Sequence, residues 1–293
     1  MRGAPKISII TICYNDPELV RTCESIMDQT CQDFEWVVID GGSDAETLAV
    51  FDKYKDRIDV FISEPDNGIY DALNKGVRNA SGEFINFMNA GDKFADNDVL
   101  RKMNDALHPS DEILYGYVYY ANNGMPTKRV RVPLESITKN KYYWIRGGLP
   151  HQSMFFKNGL LEKHGFYRLD YPVYADWAMN IKLWNAGVRF RFADICVSHF
   201  DHTGISSNPW SDKSVRDRIN IINEFYPEFA KRLDFRHPKF FAKFYTVLRF
   251  FVLPWKSKRR KLQRLRKTMH FLSFVQDLKG EDYAKSFHNN NKL

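Results

Sequence analysis

From Lys6 to Asp92 the chain alternates short apolar runs with segments whose apolar positions recur at helical spacing. Lys6–Cys13 predicts a strand. It ends at Tyr14-Asn15-Asp16-Pro17, a turn and helix start with Asn15 or Asp16 as cap and Pro17 at the first position. Leu19, Val20, Cys23, Ile26 and Met27 then share a helix face. Glu35–Asp40 predicts a second buried strand, broken by Gly41-Gly42-Ser43. Thr47–Tyr54 predicts a helix, Val60–Ser63 a third strand and Asn67–Arg78 another helix. Glu83–Asn89 predicts a fourth strand, ending in Ala90-Gly91-Asp92. Strands alternating with helices in this way imply βαβ units: an α/β fold with a mostly parallel sheet flanked by helices. Ligands in such sheets bind beyond the carboxyl ends of the strands. Thr11–Asn15, Asp40–Ser43, Glu64–Gly68 and Asn89–Asp92 therefore form one rim, and all four carry polar or acidic residues.

Beyond residue 95 the pattern is less regular. Ile113–Tyr120, Gln152–Phe156 and Arg189–Phe192 read as strands. Tyr174–Ala186 reads as a helix with Trp177, Ile181 and Trp184 on one face. From Ser211 the chain reads helical, with Val215, Ile219, Ile222 and Phe225 on one face and Pro227 ending the run.

At 293 residues with 44 % apolar and 27 % charged side chains, the chain has the composition of a globular protein, which excludes disorder, collagen and coiled coil as its main state. Aromatics reach 15 %, suiting either a well-filled core or a protein that grips flat rings and sugar faces. Cys13, Cys23, Cys31 and Cys196 show no CxxC spacing, so neither a zinc knuckle nor a redox pair is indicated. The start is too short for a secretory h-region and no run reaches the length of a spanning helix, which makes the cytoplasm the expected location. The net charge of +7 is unevenly spread: residues 231–270 carry 14 Lys and Arg against the single acid Asp234, so the body before them is acidic. Such a division argues against a nucleic-acid-binding body and for a local anionic partner of the C-terminal segment.

GxGxxG, GxxxxGK[ST] and GxSxG are all absent, which disfavours a dinucleotide-binding oxidoreductase, a P-loop ATPase and a serine hydrolase. SIITICYN, FEWVVIDGGSD, SEPDNGIYDALNKGVRNASGEFINFMNAGD, HQSMFF and YADWAMNIKLWNAG occur in this order over about residues 5–206. In these pieces the chain resembles the GT-A-fold glycosyltransferases of family 2, most closely the bacterial enzymes that build capsule, exopolysaccharide and O-antigen repeat units. The resemblance implies a catalytic domain over residues 1–210, its nucleotide-sugar-binding half at 1–95 and its acceptor half at 96–210. A basic helical region, 211–293, follows.

The resemblance also distributes roles. Tyr14 would stack on a uracil ring, with Thr11 and Asn15 beside it at the base or ribose. Asp40 would accept a uracil N–H or ribose hydroxyl, or else close an Asx-turn with Ser43; relatives often carry a second acid where this chain has Gly41. Asn89-Ala90-Gly91-Asp92 stands where the family has its DxD motif. Asn89 replaces the first acid and Gly91 the second, leaving Asp92 as the expected ligand of Mg²⁺ or Mn²⁺, with His199 or His202 as a possible addition. Asp71 and Lys75, four apart on one helix face, would put a cation near the diphosphate in place of the Arg that many relatives have at Leu73. His151 and Gln152 would contact sugar or diphosphate. Asp176, in YADW, resembles the family's catalytic base, with Ala175 replacing the usual Glu. Beside Trp177 it would be partly desolvated, which raises basicity. Trp177 itself suits either a sugar platform or the core.

These roles add up to an inverting transferase. It would take a nucleotide-sugar, first of all a UDP-sugar, and an acceptor that is a saccharide or polyprenyl-diphosphate-linked. Residues 231–270, aromatic and basic by turns, would rest on the inner membrane surface. A sugar nucleotidyltransferase is the alternative enzyme, though TICYNDPEL lacks its Gly-rich, basic start. An inactive nucleotide- or sugar-binding module is the third reading.

Overall fold

A computed structural model describes residues 6–122, 125–140, 143–201, 204, 206 and 208–232. The chain divides into two compact units, residues 1–221 and 222–293. The first contains β1 (Ile7–Cys13), α1 (Leu19–Met27), β2 (Glu35–Asp40), α2 (Ala45–Asp52), β3 (Val60–Ser63), α3 (Ile69–Asn79), β4 (Phe84–Phe87), β5 (Lys93–Phe94) and α4 (Val99–Ala106). Then come β6 (Ile113–Asn122), β7 (Met125–Val130), the short helices α5 (Leu134–Thr138) and α6 (Tyr143–Arg146), a 3₁₀ turn at His151–Ser153, β8 (Met154–Lys157), α7 (Leu160–Lys163), α8 (Ala175–Asn185) and β9 (Phe190–Asp201). Helix α9 (Asp212–Phe225) crosses the division, and α10 (Pro227–Arg232) lies beyond it.

The strands form one sheet in the order β3-β2-β1-β4-β8-β6-β9-β5, with β7 off this path and paired to the later part of β6. Strands β3, β2, β1 and β4 are mutually parallel. The predicted parallel character belongs to this half. Past β4 the sheet is mixed: β8 runs antiparallel to both β4 and β6, β5 to β9, and β7 to β6, while β6 and β9 pair in parallel. A strand that enters beside β4 from about seventy residues further along the chain is a long-range event that local pattern does not encode.

Every residue of β1 and β2 is buried, as expected for central strands covered on both faces. Ile7 and Ile9 of β1 join Leu19, Cys23 and Ile26 of α1 and Leu100 and Met103 of α4 in one core cluster. The alternate residue Ile10 faces α3, where a Cβ on Gly76 would fall 2.3 Å from its Cγ2. Only glycine lets α3 come this close to the sheet. Pro227 opens α10 instead of merely ending the preceding helix, the first helical turn being the place where a missing N–H costs nothing.

Candidate active site

The loop after β1 is tied to the loop after β2. Asn15 sits in the left-handed region at φ 47°; its N–H donates to Ser43 Oγ at 2.9 Å, and its Oδ1 accepts the Asp44 N–H at 2.8 Å. Tyr14 beside it is 66 % exposed, an open aromatic face at the end of the central strand. Thr11 is sealed: its hydroxyl accepts the Trp36 indole N–H at 3.0 Å, so its side chain braces two strands in place of the expected ligand contact.

Asp40 is fully buried. Its Oδ2 accepts the N–H groups of Gly42 and Ser43 at 3.1 and 3.0 Å and the Ser63 hydroxyl at 2.6 Å. This is the Asx-turn alternative, extended to β3. Oδ1 is buried without a hydrogen-bond partner, so Asp40 serves the turn in this structure. The second acid that the sequence lacks at Gly41 is replaced in space. A Cβ built there would fall 2.7 Å from Asp66 Oδ2 and 3.4 Å from the Tyr14 ring. Asp66 therefore occupies the volume of a side chain at 41.

Lys75 and Asp71, four apart on α3, take different partners. Lys75 reaches back to Glu64 Oε1 at 2.9 Å and the Pro65 carbonyl at 3.0 Å. The Glu64 carboxylate, ahead of the cost of desolvation, raises the Lys75 pKa. Asp71 Oδ2 instead accepts the Asn67 backbone N–H at 3.0 Å and its side-chain amide at 3.3 Å, fixing the approach to α3.

The remaining predicted residues converge. Asp92, 4 % exposed, closes the turn Asn89–Asp92 through its N–H to the Asn89 carbonyl, and its Oδ2 accepts from Gln152 Nε2 at 2.9 Å. Asn89 Nδ2 lies 3.2 Å from His151 Nε2. His151 Nδ1 lies 3.5 Å from Asp176 Oδ2, and Tyr70 donates to Asp176 Oδ1 at 2.9 Å. The Asp176 side chain keeps 23 % exposure, so it meets solvent at the edge of this network. Asp176 stands in the first turn of α8, and the preceding backbone is fixed by Asp217, whose Oδ2 accepts the N–H groups of Val173 and Tyr174 at 2.8 and 3.0 Å. Trp177 points the other way: it is buried, and its indole donates to the Trp144 carbonyl at 2.6 Å. It belongs to the core and is no sugar platform.

Among the described residues no three His, Cys, Asp or Glu side chains form a closed metal site. The turn at Asn89–Asp92 does offer oxygen donors. Besides Asp92, the Asp16 carboxylate stands across Gly91, 3.7 Å from where a Cβ there would be. Asp92 and Asp16 are the carboxylates beside this turn, and a hard cation that keeps most of its water, as Mg²⁺ does, asks for few protein oxygens. His199 lies on β9 opposite Lys93, its ring edge-on to Tyr119 at 6.0 Å; burial, then the Lys93 charge, pushes its pKa down. His202 lies outside the described residues.

A family model described as glycosyl transferase family 2 matches residues 8–166. The chain belongs to that family. It is 31 % identical over 240 residues to an uncharacterized glycosyltransferase of Mycobacterium tuberculosis, covering 80 % of this chain and 90 % of the relative. Among solved structures it is similar to S. aureus TarS in complex with UDP-GlcNAc, with a TM-score of 0.56 at 17 % identity over 75 % of this chain and 67 % of that one. It is also similar to the mannosyltransferase PcManGT of Pyrobaculum calidifontis in complex with GDP-Man and Mn²⁺, with a TM-score of 0.56 at 18 % identity over 97 % and 83 % of the two chains. The fold of this glycosyltransferase is GT-A.

Three residues that the fold brings to this candidate site carry no ligand role in the sequence reading. Asp66 lies on a predicted rim loop and Asp16 is expected only as a helix cap, and nothing local tells that each aims at a glycine of another loop. Tyr70 falls on the apolar face of α3 and reads as core; only its hydroxyl, 2.9 Å from both Asp176 Oδ1 and the Val173 carbonyl, distinguishes it. Burial first, and then the Asp176 charge, pushes the Tyr70 pKa well up, so it stays a hydrogen-bond donor.

Proposed function

We propose that this glycosyltransferase moves a sugar from a nucleoside-diphosphate sugar, first of all a UDP-sugar, to a hydroxyl of a saccharide or polyprenyl-diphosphate-linked acceptor, with inversion. The observation that carries this reading is Asp176: a carboxylate fixed at one oxygen by Tyr70 and open to solvent at the edge of the network that contains Asp92. Asp176 takes the proton of the acceptor hydroxyl as that oxygen attacks the anomeric carbon. The bond from that carbon to the diphosphate breaks on the opposite face, and the nucleoside diphosphate leaves with the electron pair. Tyr14 stacks on the base, Asp66 and Asn15 border the ribose side, and Asp92 with Asp16 would hold Mg²⁺ or Mn²⁺ at the diphosphate. Such an ion, when bound, neutralises the leaving group. The two solved neighbours carry different nucleotides, so the choice of UDP rests on this chain's own rim.

Residues 231–270 would hold the enzyme at the cytoplasmic face of the membrane, near a lipid-linked acceptor. From 233 onward they lie outside the described residues. Among the described residues no helix is long and apolar enough to cross a membrane.

The test is a donor screen with Mg²⁺ or Mn²⁺, following nucleoside diphosphate release with and without lipid-linked acceptor extract, repeated on Asp176→Asn. Expected is release with one donor in the native chain, and a loss of about 10²–10⁴-fold in the variant with donor affinity kept. Full transfer by Asp176→Asn would remove the base assignment. Pyrophosphate release from a sugar phosphate and a nucleoside triphosphate would point to a nucleotidyltransferase, and nucleotide binding without turnover under any condition to an inactive module.

A further inference from the structure

We propose that Asn89 is a positioning residue: it stands where the family motif has a metal-binding acid and instead fixes the tautomer of His151, which in turn orients Asp176. The inference rests on the reading of Asp176 as the base.

The three side chains form a line. Asn89 Nδ2 is 3.2 Å from His151 Nε2, and His151 Nδ1 is 3.5 Å from Asp176 Oδ2. Asn89 and His151 are both buried, so water does not supply alternative partners freely. His151 Nδ1 is buried and makes no hydrogen bond at this separation, which is a few tenths of an ångström beyond bonding range. An ionised carboxylate can only accept. The arrangement is favourable when the imidazole proton sits on Nδ1 and points at Asp176. The neutral ring then has a lone pair on Nε2, which needs a donor, and the Asn89 amide is one. Asn89, His151 and Asp176 thus each present the complementary group to the next.

An acid at position 89 would break this sequence. A carboxylate against Nε2 draws the proton to that nitrogen. A neutral ring would then turn a lone pair toward the Asp176 carboxylate. A ring protonated on both nitrogens would place a cation on the base and hold its lone pairs. In the first case Asp176 loses the donor that orients it; in the second the cation lowers its basicity. The Tyr70 hydroxyl, which shares its one proton between Asp176 Oδ1 and the Val173 carbonyl, stands at the other oxygen of the carboxylate. The amide in place of the motif's first acid is therefore matched to the histidine opposite it, and the residue acts on the base and not on a metal.

The test uses the full chain labelled with ¹⁵N-histidine, with the His151 signal assigned by its loss in His151→Gln. At a pH where the ring is neutral, the proton is expected on Nδ1. In Asn89→Asp it is expected to move to Nε2 or to occupy both nitrogens. Turnover should fall about 10- to 100-fold, the range typical when a partner that orients an active-site imidazole is lost. Donor KM should stay within about threefold, because the residue acts through the base. A native His151 protonated on Nε2 would overturn the proposal without any variant at 89. So would an Asn89→Asp chain that keeps the native tautomer, or one whose turnover and Mn²⁺ affinity both rise. Failure of the base reading is separate: it appears as active Asp176→Asn, whatever the tautomer of His151.

Discussion

Tyr14 is the most exposed aromatic side chain among the described residues, and its ring borders the Asp66 carboxylate across Gly41. A flat base laid on it would gain about 1–3 kcal/mol of stacking. Tyr14→Ala should therefore weaken UDP binding about tenfold or more in a titration calorimeter and leave turnover at saturating donor unchanged, while Tyr14→Phe should bind as the native chain does. The exposure of Tyr14 follows from its place at a strand end, which its sequence position already announces. Thr11 and Lys75 show the opposite. Both sit in predicted rim or helix positions, yet their polar groups are committed to Trp36 and to Glu64, residues on other elements. Hydrogen-bond partners are chosen in three dimensions, so a rim position is legible while the direction of its side chain is not.

The anchoring of α8 depends on one carboxylate from α9. Asp217 accepts two backbone N–H groups just before the helix that carries Asp176, and burial, outweighing those two hydrogen bonds, raises its pKa above the ordinary 3.8. The folded state then holds the proton more tightly than the unfolded one. Stability contributed here is full below 3.8 and declines as pH rises through the raised value. Asp217→Asn, which still accepts both N–H groups, should flatten the dependence of the unfolding temperature on pH between 3.8 and neutrality. Asp217→Ala should cost about 1–3 kcal/mol in denaturant unfolding, because two buried donors lose their acceptor. Elements of this kind divide cleanly in what the chain discloses. Strands β1 to β4 and helices α1 to α3 follow from period and turn residues, with boundaries shifted by a few residues; α1 begins at Leu19 with Glu18 at its N-cap, so neither Asn15 nor Asp16 caps it and Pro17 precedes its first position. Helix α4 and the pairing of β8 with β4 and β6 do not, because the second half returns to the first by long-range antiparallel contacts.

The acidic body and the basic segment 231–270 predict different behaviour at a charged surface. The full chain should cosediment with vesicles containing anionic lipid and release them as salt rises. Each basic residue near such a surface contributes about 1 kcal/mol, so replacing Lys258, Arg259, Arg260 and Lys261 with Ser should lower partitioning by about two to three orders of magnitude. Equal sedimentation of native and substituted chains would remove the membrane assignment. Within the first compact unit, residues 1–95 and 96–210 meet through the strand pairing of β4 with β8 and through polar pairs that include Tyr70 with Asp176, Asn74 with the Tyr167 backbone at 2.8 and 2.9 Å, Asn89 with His151, and Asp92 with Gln152. For anyone recombining relatives to change donor or acceptor, a breakpoint near residue 95 severs all four partnerships at once. A chimera that keeps such partners together should fold and bind donor where one that splits them fails, as thermal unfolding and nucleotide titration of the two would show.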